Sequence, residues 1–316
     1  MTPKETDSAA SGRLRSRTLY SSLSAAVLLA LVVGTATAQR NKATTQRLPV
    51  LYDPAKLSAA ALQKREKLLA PKLAGRANVA SATRRPWIDA NGWRITRNPA
   101  GKFYYEAPAG KAALALAEAF AYNADAVVKI DEADVAQAEL MLVFLRTLPP
   151  APWPGVADIG VIDDGSLELG EVLNLLVRRN LLFRLVKTPA PELRLNIQLG
   201  SKEFPRAAAA DPNEFALRIR RQLTDEQRSL RLYGTELVIC RLQSAGQHAR
   251  VHLLNYSGRE LEGVRVRLRG VFNSSSAYAF GVQKVTLEDF ALDATGTEFT
   301  LDQLGAYTVV DLSAVK

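Results

Sequence analysis

The chain has 316 residues, with 41 lysines and arginines against 32 aspartates and glutamates, and therefore a net charge of +9. The excess lies near the amino terminus, because residues 39–86 carry eleven basic and two acidic side chains, whereas residues 87–316 carry 26 basic and 28 acidic ones. A nearly neutral body excludes the broad basic surface that nucleic-acid binding needs, and a single cysteine, Cys240, excludes an intrachain disulfide.

The first 38 residues have the composition of an export signal. Arg13, Arg15 and Arg17 precede the apolar run LSAAVLLALVVGTATA, which ends in small residues at Ala38. A membrane anchor is the alternative, but the run from Leu23 is shorter than the roughly 20 apolar residues that cross a bilayer. We therefore expect cleavage after Ala38 and a periplasmic or extracellular protein, which meets the membrane only through the signal before cleavage.

Residues 39–83 are predicted to form a basic arm or linker. Its stretch DPAKLSAAALQKREKLLAPKLAG places helix formers between prolines and predicts a short surface helix. On an exported protein, such an arm would meet anionic envelope polymers or lipid headgroups. A solvated spacer is the alternative.

Residues 84–233 alternate between strand and helix patterns. The stretch PWIDANGWRITRNPAGKFYYEAP is typical of short strands and turns. It is followed by helix GKAALALAEAFAYNA, strand DAVVKI, helix DEADVAQAELMLVFLRTL, strand VADIGVI, helix LELGEVLNLLVRRN, strand LLFRLV and the Asp211-capped helix DPNEFALRIRRQL. This order predicts a parallel sheet covered by helices. A complete eightfold barrel takes roughly 250 residues, so the α/β part is either a partial β/α barrel or a compact doubly wound sheet.

Residues 234–316 change to a period of two, which predicts a C-terminal antiparallel β-sandwich. The six predicted strands are TELVICRL, ARVHLLNY, LEGVRVRLRG, KVTLEDF, TEFTL and AYTVVDL, and the third should bury Val264, Val266 and Leu268. His248 and His252 lie in one strand about 13 Å apart, which is too far to share a metal. We therefore predict packing roles for both histidines, and no metal or other cofactor.

Acidic and aromatic residues cluster where ligands of parallel sheets gather, at the carboxyl ends of strands. The catalytic candidates are Asp131 and Glu132 after AVVKI, Asp163 and Asp164 after IGVI, and Asp89 in WIDANGW, with Trp87, Asn91 and Trp93 as candidates for ligand binding. Paired carboxylates beside aromatic rings suit sugar chemistry, because one acid protonates the glycosidic oxygen while another acts as nucleophile or base. If the strands are neighbours, these acids meet in one crevice.

Helix capping is the competing interpretation of these acids. Asp131, Asp134, Ser166 and Glu168 stand at predicted helix starts, where side-chain oxygens accept backbone N–H groups. The tryptophans can equally pack in the core. Two carboxyl groups about 5 to 9 Å apart across an open cleft would favour catalysis, whereas carboxylates bonded to backbone N–H groups and facing no cavity would not. The chain has no G-x-S-x-G, P-loop or G-x-G-x-x-G motif.

The order of an α/β region and a small sandwich with VHLLNYSGRELEGVRVRLRG and EFTLDQLGAYTVVDL resembles the C-terminal part of bacterial glycoside hydrolases. The chain is also similar to exported bacterial proteins to which we can assign no activity. The resemblance implies one of two functions. The first, which we favour, is an exported glycan-associated accessory protein, noncatalytic or degenerate, that binds a saccharide, an envelope polymer or a partner protein. The second is an active glycoside hydrolase that uses two of the five acids.

Overall fold

The computed structural model describes residues 46–52, 58–74 and 87–314. The chain divides into two compact units, and all of these residues belong to the second, residues 43–316. The predicted export signal and its cleavage position lie outside the described residues.

The part of the chain before residue 230 alternates between strands and helices. In chain order its elements are β1 (Val50–Tyr52), α1 (Ala59–Gln63), β2 (Glu66–Leu68), β3 (Lys72–Ala74), β4 (Trp87–Asp89), α2 (Gly92–Arg97), β5 (Lys102–Glu106), α3 (Ala112–Ala121), β6 (Asp125–Lys129), α4 (Val135–Thr147), β7 (Ile159–Ile162), α5 (Leu167–Arg178), β8 (Phe183–Val186), β9 (Leu195–Ile197) and α6 (Pro212–Gln222). Short 3-10 helices, Glu132–Asp134 and Arg206–Ala210, precede α4 and α6.

The parallel strands of this part form two sheets. One has the order β1-β6-β5-β2 and the other the order β8-β7-β9, while β3 and β4 form a separate antiparallel pair. Helix α3 connects β5 to β6, and α5 connects β7 to β8, because parallel neighbours need a crossover between their opposite ends. The predicted class, an α/β part followed by an antiparallel sandwich, is confirmed.

The short helix predicted in the basic arm is present as α1, and it ends at Gln63 because the next residues pair as β2 with β5 and bury Leu68 against the core. One local prediction was wrong. Segment 92–97 was predicted as strand and turn but forms α2, in which Ile95 is buried. In both cases tertiary packing outweighs the weak local propensity of the sequence.

The remainder of the described chain is the sandwich. Its strands are β10 (Leu230–Tyr233), β11 (Val238–Ala245), β12 (His248–Asn255), β13 (Leu261–Arg269), β14 (Ser274–Ala279), β15 (Leu287–Leu292), β16 (Gly296–Leu304) and β17 (Tyr307–Ser313). They form two antiparallel sheets, of order β10-β13-β16-β15 and β11-β12-β17-β14. Val264, Val266 and Leu268 are buried between them as predicted, whereas β10 and β14 were not predicted.

The α/β part and the sandwich share a continuous core. Ile239, Leu254 and Val309 point away from the sandwich interior and pack in one cluster with the buried residues of α3 and α4. The second parallel sheet has its own cluster with α5 and α6. The sandwich is therefore fixed to the α/β part by buried apolar surface, which is the main source of stability in such contacts.

A buried carboxylate, Glu118 of α3, lies in this shared core. Its oxygens accept hydrogen bonds from the backbone N–H of Asn91 at 2.7 Å and its side-chain amide at 2.9 Å. The hydroxyls of Tyr105 and Tyr256 donate to it at 2.7 and 2.6 Å. Burial, and then the charge of Glu118, raises the pKa of both tyrosines. Four donors thus satisfy one carboxylate and connect β5, α2 and the sandwich.

Candidate functional site

The aspartates at the end of β7 initiate α5 through a tight turn. Gly165 has a φ of +75°, a conformation that glycine adopts without the steric cost that a side chain brings. Ser166 then caps α5, with its hydroxyl accepting the N–H of Leu169 at 3.2 Å. This turn fixes the positions of Asp163 and Asp164 just outside the sheet, as the strand–helix pattern predicts.

Asp163 is held by an arginine from another helix. The Arg97 guanidinium of α2 donates to both carboxylate oxygens, from Nε at 3.0 Å and from Nη2 at 2.7 Å. Nη2 also donates to the carbonyl of Ser166, and the N–H of Gly165 donates to Asp163 Oδ1 at 3.0 Å. The hydrogen bonds from Arg97 hold the pKa of Asp163 below its ordinary value. This carboxylate remains ionised and fully partnered.

The approach of α2 to α5 explains how Arg97 reaches the aspartate. A Cβ added at Gly170 of α5 would lie 3.1 Å from Arg97 Nη1 and 3.2 Å from the ring of Trp93. The absent side chain therefore lets α2 lie close to the first turns of α5.

Asp164 has a second, separate set of partners. Its Oδ1 accepts the N–H and the hydroxyl of Ser166 at 2.9 and 2.6 Å, and its Oδ2 pairs with Arg206. Partial burial alone would raise the pKa of Asp164, but the hydrogen bonds from Ser166 and Arg206 outweigh it and lower that pKa. Each aspartate is thus paired with its own arginine.

The other acidic candidates lie on different sheets. Asp131 accepts the N–H of Ala133 at 3.0 Å and caps the 3-10 helix in which Glu132 is the first residue, exposed to solvent. Asp89, the last residue of β4, lies 3.8 Å from the ammonium group of Lys72. Because β4, β6 and β7 belong to three separate sheets, strand pairing does not make these acids neighbours.

The ligand-binding candidates have structural contacts. Asn91 is fully buried and bonds to both backbone groups of Leu69 as well as to Glu118. Trp93 is partly buried against two apolar clusters, and the guanidinium of Arg94 lies 4.4 Å from its ring centroid. The backbone of Trp87 begins β4 opposite Ala74.

Both histidines occupy β12 and pack against neighbouring groups. The ring of His252 is buried between Tyr307 and Gln243, with nitrogen–oxygen distances of 2.6 and 2.8 Å. Burial, followed by the charges of Arg250 and Arg241, lowers its pKa well below the ordinary value. His248 stacks on Trp153 at 5.5 Å. In the described ranges, no three or more His, Cys, Asp or Glu residues are grouped to hold a metal.

Sequence reasoning missed the two arginines that define this site. Arg97 and Arg206 lie 66 and 42 residues from their aspartates. No motif or spacing signals either pair, because each depends on how α2 and the second 3-10 helix pack against α5. Within the described part of the chain, no helix is long and apolar enough to cross a membrane.

Comparison with solved structures shows that the chain has a fold like that of a fucosidase. The chain is similar to alpha-L-fucosidase isoenzyme 2 from Paenibacillus thiaminolyticus, with a TM-score of 0.51 and 8% sequence identity over 82% of this chain. It spans 66% of the fucosidase's length. At this identity the likeness shows the fold alone.

Two alpha-amylases also match, with TM-scores too low to support an inference. Those from Geobacillus thermoleovorans and Thermotoga neapolitana both score 0.19 over 71% of this chain, at 11% and 14% identity, and the chain covers 57% and 58% of them. No protein-family model matches the chain, and a search of curated proteins gives no match.

Proposed function

We propose that the chain is an exported accessory protein with a glycoside-hydrolase-like fold, which binds a saccharide or an envelope polymer without cleaving it. One observation carries the noncatalytic part of this proposal: Asp163 and Asp164, the consecutive acids at the end of β7, are each paired with an arginine.

The chemistry of glycoside hydrolysis explains why these arginine pairs argue against catalysis. The reaction needs one carboxyl group that is protonated near neutral pH, so that it can donate to the leaving oxygen. The arginine and turn hydrogen bonds lower the pKa of Asp163 and Asp164, which is the opposite of what a general acid needs. Asp131 has a structural role instead, because its carboxylate accepts a backbone N–H group and caps a helix start.

Export and glycan association have other support. The signal-like segment that ends at Ala38 supports export, and the fold likeness to a fucosidase supports association with a sugar. Fold likeness alone transfers no activity, so binding is the part of the proposal that most needs a direct test.

The test pairs binding with cleavage. The protein lacking residues 1–38 is applied to a glycan array and, in parallel, incubated with envelope and plant polysaccharides while released reducing ends are measured. Binding without release is the expected result. Release that Asp163→Asn abolishes would establish the hydrolase instead. No binding and no release would refute the sugar hypothesis.

A matched control separates a catalytic loss from a structural one. Asp225 is also an aspartate paired with arginines, Arg228 and Arg231, but it lies after α6 rather than at the end of β7. Asp225→Asn should therefore leave any release unchanged. The predicted cleavage is tested separately, by the amino-terminal sequence of the protein recovered from the periplasm or medium, which should begin at Gln39.

A further inference from the structure

A cavity of about 320 Å³ lies where the α/β part meets the outer face of the sandwich. Its walls come from α2, the end of α5, β8 and the edge strand β11, with segment 155–156 beside them. Pro99, Gly155 and Arg184 at its border are solvent-exposed, whereas Asn180 is buried. The volume is at the lower end of the range that small-molecule sites occupy.

One charged group of this cavity has no ionic partner. The side chain of Arg241, on β11, forms no ion pair or hydrogen bond with any residue that the structure describes, and its Nε is inaccessible to solvent. Its guanidinium lies 4.8 Å from the ring centroid of Tyr122. Burial lowers the pKa of Arg241, partly offset by Tyr122, yet a guanidinium stays charged at neutral pH. The side chain is only partly exposed, and a partly buried cation without an ionic partner favours an anion beside it.

Three other polar side chains of the cavity are already occupied. Asn180 accepts the N–H of Cys240 and donates to the carbonyl of Val238. The hydroxyl of Thr96 donates to Gly92 within α2, and Arg184 pairs with Glu192. Little capacity remains to bind the several hydroxyls of a sugar.

The rest of the wall is apolar. It includes Ile95, Val156, Val177, Leu181, Leu182, Phe183, Leu185 and Leu242. Apolar walls favour a ligand whose body is apolar, because its burial removes hydrocarbon surface from water.

We propose that this cavity binds a small organic monocarboxylate with an apolar body, whose carboxylate pairs with Arg241. One unpaired guanidinium matches one negative charge, and its planar fork matches the two oxygens of a carboxylate. A phosphate dianion would keep an unpaired charge in an apolar site. This site does not include Asp163 or Asp164, and the inference does not depend on the glycan proposal.

Binding of defined probes tests the inference. Calorimetric titration of the full mature chain uses benzoate, cyclohexanecarboxylate and hexanoate, with benzamide as the neutral counterpart of benzoate and with glucuronate and inorganic phosphate as hydrophilic anions. At least one apolar monocarboxylate should bind at millimolar concentration. Benzamide should bind at least about tenfold more weakly than benzoate, because it lacks the charge-assisted pairing.

Three variants locate the binding. Arg241→Gln should weaken it at least about tenfold. Gly155→Leu should also weaken it while keeping the arginine, since a Cβ at Gly155 lies 3.2 Å from Arg241 Nη2 and a larger side chain would fill the space around the guanidinium. Arg231→Gln should bind as the wild type does, because Arg231 also lies over a tyrosine ring but pairs with Asp225.

The same titrations can overturn the inference. It is wrong if none of the three monocarboxylates binds, or if binding survives both Arg241→Gln and Gly155→Leu in protein with wild-type circular dichroism. Tighter binding of glucuronate or phosphate would refute the proposed ligand class.

Discussion

Substitution of Glu118 should weaken the connection between the α/β part and the sandwich. In Glu118→Gln, one of the two carboxylate oxygens becomes an NH₂ group, which faces donors instead of accepting from them. Each oxygen accepts two hydrogen bonds, one from Asn91 and one from a tyrosine. Losing two bonds to a charged acceptor, each worth about 1.5–3 kcal/mol, gives an expected destabilisation of about 3–6 kcal/mol.

Urea unfolding followed by circular dichroism and tryptophan fluorescence measures this loss. The midpoint temperature should also fall, by roughly 10 °C for a chain of this size. Glu139→Gln is the matched control, because Glu139 is exposed on α4 and its change should stay within about 0.5 kcal/mol. In a double-mutant cycle, Tyr256→Phe should cost much less when position 118 is glutamine. A loss below about 1 kcal/mol for Glu118→Gln would refute the assigned hydrogen bonds.

Three further predictions concern charge and reactivity. Arg97→Gln should cost about 1 kcal/mol at pH 7 and progressively less as the pH falls through the lowered pKa of Asp163, because the stability that this carboxylate contributes is lost when it is protonated; a pH-independent loss in urea titrations would contradict this. The lowered pKa of His252 should make stability fall as pH drops below about 6.5, by up to about 1.4 kcal/mol per unit, and His252→Gln should flatten that slope. Burial raises the pKa of the Cys240 thiol, so Ellman's reagent should modify it at least about a hundredfold more slowly in native than in unfolded protein; equal rates would contradict its burial.

Sequence periodicity predicted most of the elements because burial on one face leaves a repeating pattern. The alternation of Val264, Val266 and Leu268 with arginines gave both the strand and its inward face. Asp211 likewise predicted the start of α6, where it accepts the N–H groups of Asn213 and Glu214.

Long-range polar contacts leave no comparable pattern. Asp134 was interpreted as a cap of the helix that follows it, yet its carboxylate accepts three consecutive N–H groups at the start of α3, from Gly110 to Ala112. The arginine partners of Asp163 and Asp164 depend on the same kind of contact. The sequence could therefore locate the acids at a strand end, but their charge environment required the packed structure.

Carboxyl titration of Asp163 and Asp164 by ¹³C NMR tests most directly the claim that neither acid can protonate a glycosidic oxygen, as the general acid of hydrolysis must. Resonances are assigned by comparison with Asp163→Asn and Asp164→Asn. We predict that both carboxylates titrate below the ordinary aspartate value of about 3.9 and that Arg97→Gln moves only the Asp163 titration upward. A carboxyl group of either residue that titrates above about pH 5 would be available as a general acid and would contradict the account.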